Sequence, residues 1–176
     1  MKIGILSMQR IRNYGSFLQA YSLKKNIESL GHEVEFVDYL AESPINKAEK
    51  KPVKRGIRVY ISALRRRFYK TRTEKLAMKR QAFLKRYDSE FYNMLGLTKE
   101  KNYTPALDTL VIGSDEVFNC LQTNPDVGYS KQLFGVENKA KKVITYAASC
   151  GNTNIDRLNE FGVKDEVAGW LSNVDT

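Results

Sequence analysis

MKIGILS (Met1–Ser7) followed by QRIRNYG (Gln9–Gly15) is an apolar run of strand length giving way to a polar loop that closes on glycine. From Ser16 to Leu30 the chain reads as an amphipathic helix, Gly31 stops it, and EVEFVDY (Glu33–Tyr39) is a second strand. The result is one strand–loop–helix–strand unit. Units of this kind carry the loop after the first strand at a crevice over the carboxyl ends of the strands. The unpaired N–H groups that open the helix favour an anion there.

Beyond this unit, Leu40 to Pro52 reads as a loop. From Lys54 a helical face appears in Ile57, Ile61, Leu64 and Phe68, with Arg55, Arg58, Arg65, Arg66 and Arg67 opposite. A second helix is expected from about Thr73, with Leu76, Phe83, Tyr87 and Phe91 on its apolar side. The stretch Thr104–Leu107, with Pro105, reads as a break. DTLVIG (Asp108–Gly113) and KVITYAA (Lys142–Ala148) are short strands, and Asn154–Leu171 is an irregular helix interrupted by Gly162 and Gly169. Strands alternating with helices predict an α/β domain with a mostly parallel sheet. Three strands end in small polar clusters: Asn13–Tyr14–Gly15, Gly113–Ser114–Asp115 and Ser149–Cys150–Gly151. Parallel strands bring such ends to one edge.

A chain of 176 residues, 42% hydrophobic and 28% charged, builds a core and fits one domain or one piece of a longer protein. No apolar run approaches the roughly 20 residues that span a bilayer. The opening residues lack the pattern of a signal peptide, which leads us to expect a cytoplasmic chain, free or at the inner face of the membrane. Cys120 and Cys150 lie far apart and only one histidine is present, so neither a zinc site nor a disulfide is expected. Both cysteines read as ordinary small residues. The formal charge of +9 is local: residues 47–86 carry +14, from sixteen Lys and Arg against Glu49 and Glu74, and the rest carries −5. That block reads as a solvated helix surface, as a contact for anionic lipid or as a phosphate contact for nucleic acid. Nucleic acid is the least favoured, because no nucleic-acid module accompanies the charge.

The polar tips have two readings each. Asn13 and Ser16 cap a helix, or with Tyr14, Gly15 and Gln19 they line a ligand site. The spacing is not that of a dinucleotide fingerprint, although Asp38 sits near the usual acidic position. The run Gly113–Ser114–Asp115, with Asn119, offers a hydroxyl and a carboxylate to a hydroxylated ligand, or forms an Asx-type turn. His32, between helix and strand, falls at the opposite end of the sheet and is not a candidate base.

Three segments together resemble the polysaccharide pyruvyl transferase family. Asn13–Tyr14–Gly15 with Leu18–Gln19–Ala20–Tyr21–Ser22–Leu23 is similar to the family pattern N-Y-G-x-x-L-Q-x-Y-A-L, with Ser22 for alanine. Asp108–Asn119 resembles D-x-x-I-x-G-S-D-Q-V-W-N, with Glu116 for glutamine and Phe118 for tryptophan. Thr145–Gly151 resembles S-Y-A-A-S-F-G, departing at Thr145 and Cys150. The resemblance implies the N-terminal half of a GT-B-like two-domain enzyme, with a basic helical insertion at about 47–102 and a C-terminal half beyond Thr176. It implies transfer of the enolpyruvyl group of phosphoenolpyruvate onto sugar hydroxyls of a surface glycan precursor, lipid-linked or soluble, giving a pyruvate ketal. The donor is a substrate, and no cofactor or metal is implied. Donor-side Arg and His residues are expected in the C-terminal half, so this chain alone is expected to be inactive. On this side the resemblance assigns Asp115 as base, and Asn13, Tyr14, Gly15, Ser16, Gln19, Gly113, Ser114, Asn119, Ser149 and Gly151 as acceptor-binding residues. Arg58, Arg65, Arg66 and Arg67 are the membrane-contact candidates. The departures at Glu116 and Phe118 imply a different acceptor preference. The alternative is a Rossmann-like binding module that docks on anionic membrane or nucleic acid through the basic helices of residues 47–86.

Overall fold

Among the described residues, four parallel strands form one sheet, in the order β2-β1-β3-β4. They are β1 (Lys2–Leu6), β2 (Glu33–Phe36), β3 (Leu107–Asp115) and β4 (Ala140–Ala148). The helices are α1 (Tyr14–Ser29), α2 (Arg58–Leu95), α3 (Ile155–Glu160) and α4 (Lys164–Leu171), with a 3₁₀ turn at Lys131–Phe134. The computed structural model describes residues 1–46 and 58–175, without the side chains of 58–72. The parallel α/β sheet is the expected one.

Strand alternation sends successive residues to opposite faces and so builds two cores. Ile3, Ile5 and Val111 pack under Phe17, Ala20 and Leu23 of α1 and Tyr87 of α2. Leu6, Leu110, Ile112 and Val143 pack under Val117, Leu133, Phe134 and Val167. Register is continuous, with Ile5 opposite Val111 and Val111 opposite Ile144.

Several boundaries differ from expectation. β2 stops at Phe36 rather than Tyr39, because the Asp38 N–H donates to the Asn102 carbonyl at 2.7 Å instead of continuing the ladder. β3 runs past Gly113 to Asp115, which pairs with Ala148. Over the described residues the two basic helices are one helix of 38 residues, about 57 Å long at 1.5 Å per residue, and the expected start at Lys54 lies outside those residues. Between Arg58 and Leu95 there is no Gly or Pro, and Thr71 and Thr73 weaken a helix without ending it. Gly162, at φ +68, separates α3 from α4, but Gly169 stays inside α4. On α2, Phe83, Tyr87 and Phe91 pack as expected, whereas Leu76 is 68% exposed. His32 lies at the start of β2, at the far end of the sheet from the strand tips. Cys120 is buried; Cys150 is exposed at the tip of β4.

Burial, chiefly, pushes the Tyr87 phenol up to about 12 and the Cys120 thiol up to about 11. Both fold in the neutral form. In the unfolded chain they ionise near pH 10 and 9, so above those values the unfolded state sheds protons that the folded state keeps. Their contribution to stability is therefore fully present below about pH 9 and declines toward pH 12. Thermal melts between pH 8 and 11.5 should show Tm falling, and Tyr87→Phe should flatten the upper part of that fall.

Candidate functional site

β1, β3 and β4 end side by side, and the residues just past them hold one another. Ser7, the first residue after β1, is buried and donates from Oγ to the Ser114 carbonyl at 2.8 Å. Its N–H donates to Gln9 Oε1 at 3.0 Å, and Gln9 Nε2 donates to the Val37 carbonyl at 2.8 Å. Ser7 and Gln9 are contributors that sequence reasoning missed. The only signal for them was polar character directly after a buried run.

Arg10 fixes the next step of the loop. Its guanidinium grips Asp38 through both Nε and Nη2, the latter at 2.8 Å, and Nη1 donates to the Thr98 carbonyl at 2.9 Å. Burial alone would push the Asp38 carboxyl up. The Arg10 hydrogen bond and the Asn102 N–H at 3.0 Å outweigh it and hold the group below the usual carboxylate range. An acid near the end of the second strand takes ribose hydroxyls in dinucleotide sites. Here Asp38 is committed to Arg10, which closes that use.

Asn13 caps α1: its side chain accepts from the Gly15 N–H at 2.8 Å, and its carbonyl accepts from Phe17. A Cβ on Gly15 would stand 3.3 Å from that capping oxygen. One turn in, buried Ser16 donates from Oγ to Asp115 Oδ2 at 2.7 Å. The other carboxylate oxygen of Asp115 accepts the Glu116 N–H at 2.8 Å. Asp115 is half-buried at φ +132, a region that costs a non-glycine residue about 1–3 kcal/mol and recurs where function demands it. Its carbonyl accepts the Ser149 N–H at 2.9 Å, and the Ser149 carbonyl accepts the Phe118 N–H at 3.0 Å. Ser16, Asp115 and Ser149, from three separate tips, thus meet.

Asn119 is buried, with Nδ2 donating to Glu116 Oε2 at 2.7 Å and Oδ1 accepting from Thr153 Oγ1 at 2.9 Å. Both ends of its amide are engaged within the protein, so it ties the loop after β3 to the loop after β4. Gly151, at φ +53, passes so close to Glu116 and Asn119 that a side chain would collide with them. Ser114 is buried beneath the tip, with its carbonyl held by Ser7. Gln19 is exposed one turn along α1 from Ser16.

Tyr14 does not join this cluster through its side chain. Its ring, half-exposed, packs edge-on against Phe83 and Phe91 of α2, at centroid distances of 5.3 and 5.6 Å. Tyr14 and Ser16 are two residues apart, roughly 200° round the helix, so they serve different sides. α2 also grips the loop before α1. The Tyr87 hydroxyl reaches the Asn13 and Ile11 carbonyls at 3.0 and 3.2 Å, and the Tyr92 hydroxyl donates to the Arg10 carbonyl at 3.0 Å. Arg12 pairs with Asp88 through Nε and Nη2, at 2.8 and 2.9 Å. The side chains of Arg58, Arg65, Arg66 and Arg67 lie outside the described residues. Among the described residues no three His, Cys, Asp or Glu side chains are grouped to hold a metal, and no helix is long and apolar enough to cross a membrane.

Gly113 makes the tip of β3 possible. It sits at φ +123, and a Cβ there would run into the Tyr146 carbonyl. Gly113→Ala should destabilise the fold by at least about 2 kcal/mol, through strain at this φ alone. Calorimetry should show Tm lowered by roughly 4–8 °C or more; an unchanged Tm would show that the strand yields freely.

The chemistry of the cluster is that of a carboxylate fixed at both oxygens, with lone pairs left over for a ligand hydroxyl. No curated protein and no solved structure matches the chain. A family model described as polysaccharide pyruvyl transferase matches residues 13–165, a span that opens at the cap of α1 and takes in all three strand tips. The match covers most of the chain and contains each of the motifs whose ends meet at Asp115, and the chain belongs to the polysaccharide pyruvyl transferase family.

Proposed function

We propose that the chain is the N-terminal, Rossmann-like lobe of a GT-B-like pyruvyl transferase, with α2 as a helical insertion and a second lobe completing the cleft. The reaction moves the enolpyruvyl group of phosphoenolpyruvate onto two hydroxyls of a saccharide in a surface glycan precursor. One sugar oxygen bonds to the enol carbon while the methylene takes a proton and becomes a methyl. A second oxygen then displaces phosphate, giving the ketal. Asp115 accepts the proton of an attacking hydroxyl, a role that needs an acceptor within hydrogen-bond reach. Ser16 and the Glu116 N–H orient that carboxylate. Asn13, Gly15, Gln19, Ser149 and Gly151 form the wall around the acceptor, and the groups that hold the donor phosphate come from the second lobe.

The observation that carries this reading is the Ser16–Asp115–Ser149 junction inside the family match. The test is to incubate the full-length gene product with phosphoenolpyruvate and soluble or lipid-linked saccharides. Inorganic phosphate should be released and a new ketal methyl signal should appear by NMR. Neither phosphate nor ketal with any acceptor would overturn it. A second reading, docking on an anionic membrane, draws on residues 73–80 of α2. All eight are exposed, with Leu76 and Met78 beside Lys75, Lys79 and Arg80. The two readings are compatible, since an acceptor carried on lipid would be met at such a surface.

A further inference from the structure

Beside the strand tips, on the other side of the loop after β1, lies a groove of about 920 Å³. That volume suits an organic ligand rather than a bare ion. Five cations line it (Arg10, Arg12, Arg80, Lys99 and Lys101) against two carboxylates, Asp88 and Asp126. Their hydrogen bonds divide them into two groups. Arg10 is structural, spent on Asp38 and on backbone carbonyls. Arg12 gives Nε and Nη2 to Asp88, which leaves Nη1 with both of its N–H bonds. Lys101 stands 3.7 Å from an Asp38 oxygen that Arg10 already holds. Arg80 and Lys99 have no hydrogen-bond or ion-pair partner among the described residues. With Asp88 neutralised by Arg12 and Asp38 by Arg10, Arg80, Lys99 and Lys101 (the last still ion-paired to Asp38) stand against Asp126, an excess of two positive charges. The floor is apolar, from Phe83 and Leu84.

We propose that this groove binds a phosphate-bearing organic ligand. The phosphate is held by Arg12 Nη1, Arg80, Lys99 and Lys101, and the remainder of the ligand lies over Phe83 and Leu84. A doubly charged anion matches the excess charge. Guanidinium and ammonium donors from three segments supply the hydrogen bonds that phosphate oxygens accept. Because Arg12 directly precedes the cap of α1, the bound phosphate shares a wall with the Asp115 cluster. The binding goes beyond pyruvyl transfer and is measured without turnover, so either reading can fail alone.

The test is calorimetric titration of the protein with pyrophosphate and with uridine diphosphate in about 50 mM salt, where charge contacts are weakly screened. Sedimentation with phosphatidylglycerol vesicles forms a second arm. Saturable binding is expected, weakened about tenfold or more, some 1.4 kcal/mol, by the pair Arg80→Glu and Lys99→Glu. The pair Lys139→Glu and Lys164→Glu, outside the groove, carries the same charge change and should alter binding less than about twofold. Should charge reversal disturb folding by circular dichroism, Arg80→Gln with Lys99→Gln replaces it. Binding of the soluble diphosphates identifies a mobile phosphorylated ligand. Vesicle binding alone, lost in the groove pair but kept when Lys75 and Lys79 on the outer surface of α2 are changed to Glu, identifies a lipid phosphate. Either supports the groove. No saturable binding to any probe, or equal loss in both variant pairs, overturns it.

Discussion

Asp115→Asn is expected to lower phosphate release from phosphoenolpyruvate by about 10²–10⁴-fold in the full-length protein, the usual contribution of a general base. The substitution removes the charge and the proton-accepting oxygen while keeping the shape. With its carbonyl oxygen toward the Glu116 N–H, the amide can donate from Nδ2 to Ser16 Oγ, which now lies 2.7 Å from Asp115 Oδ2. Asparagine has the same shape as the aspartate that already holds φ +132 here, so the tip should keep its conformation. Steady-state kinetics should therefore show kcat falling while Tm stays within a few degrees. Asp115→Ala should be at least as inactive, and it leaves Ser16 without its acceptor. If Asp115→Asn turns over at the parent rate, the base lies elsewhere and Asp115 only shapes the loop.

Asp38→Ala should cost more stability than any other single change considered. Asp38 is 5% exposed in its side chain and carries both Arg10 and the Asn102 N–H. Removing one partner of a buried pair strands the other, at a cost of about 3–5 kcal/mol. For a domain of this size Tm should drop by roughly 10 °C. Asp38→Asn keeps part of the hydrogen bonding and should lose less. Acid unfolding gives an independent check. The folded Asp38 carboxyl is held below its unfolded value, so its contribution is present above that value and disappears as pH falls through the folded pKa. Asp38→Asn should therefore flatten the stability profile below about pH 4. A variant with parent stability at pH 7 would mean that the Arg10 pair offsets no more than its own desolvation.

Much of the candidate site was legible because a parallel α/β unit brings every strand's carboxyl end to one edge. Short polar clusters after three apolar runs were enough to expect the tips Asn13–Gly15, Gly113–Asp115 and Ser149–Gly151 at one sheet edge, and Ser16, just past the first of them, is the residue that meets Asp115. The misplacement of the Tyr14 side chain has a periodic cause: adjacency in sequence suggested a shared site, but helical rotation turns its ring toward Phe83 and Phe91. The continuity of α2 was obscured by threonines that weaken a helix without breaking it. The Arg10–Asp38 grip joins residues 28 apart across a buried boundary, and nothing local in either segment announces its partner. The same holds for Asn119, whose amide is spent on Glu116 and Thr153 rather than left free.

The hold of α2 on the loop before α1 has a mechanical consequence. Tyr87, Asp88 and Tyr92 occupy little more than one turn, and together they clasp the backbone of Arg10, Ile11 and Asn13 and the side chain of Arg12. A slip of that rod by a single turn would break all of these contacts together, because every one of them is made from the same short stretch of helix.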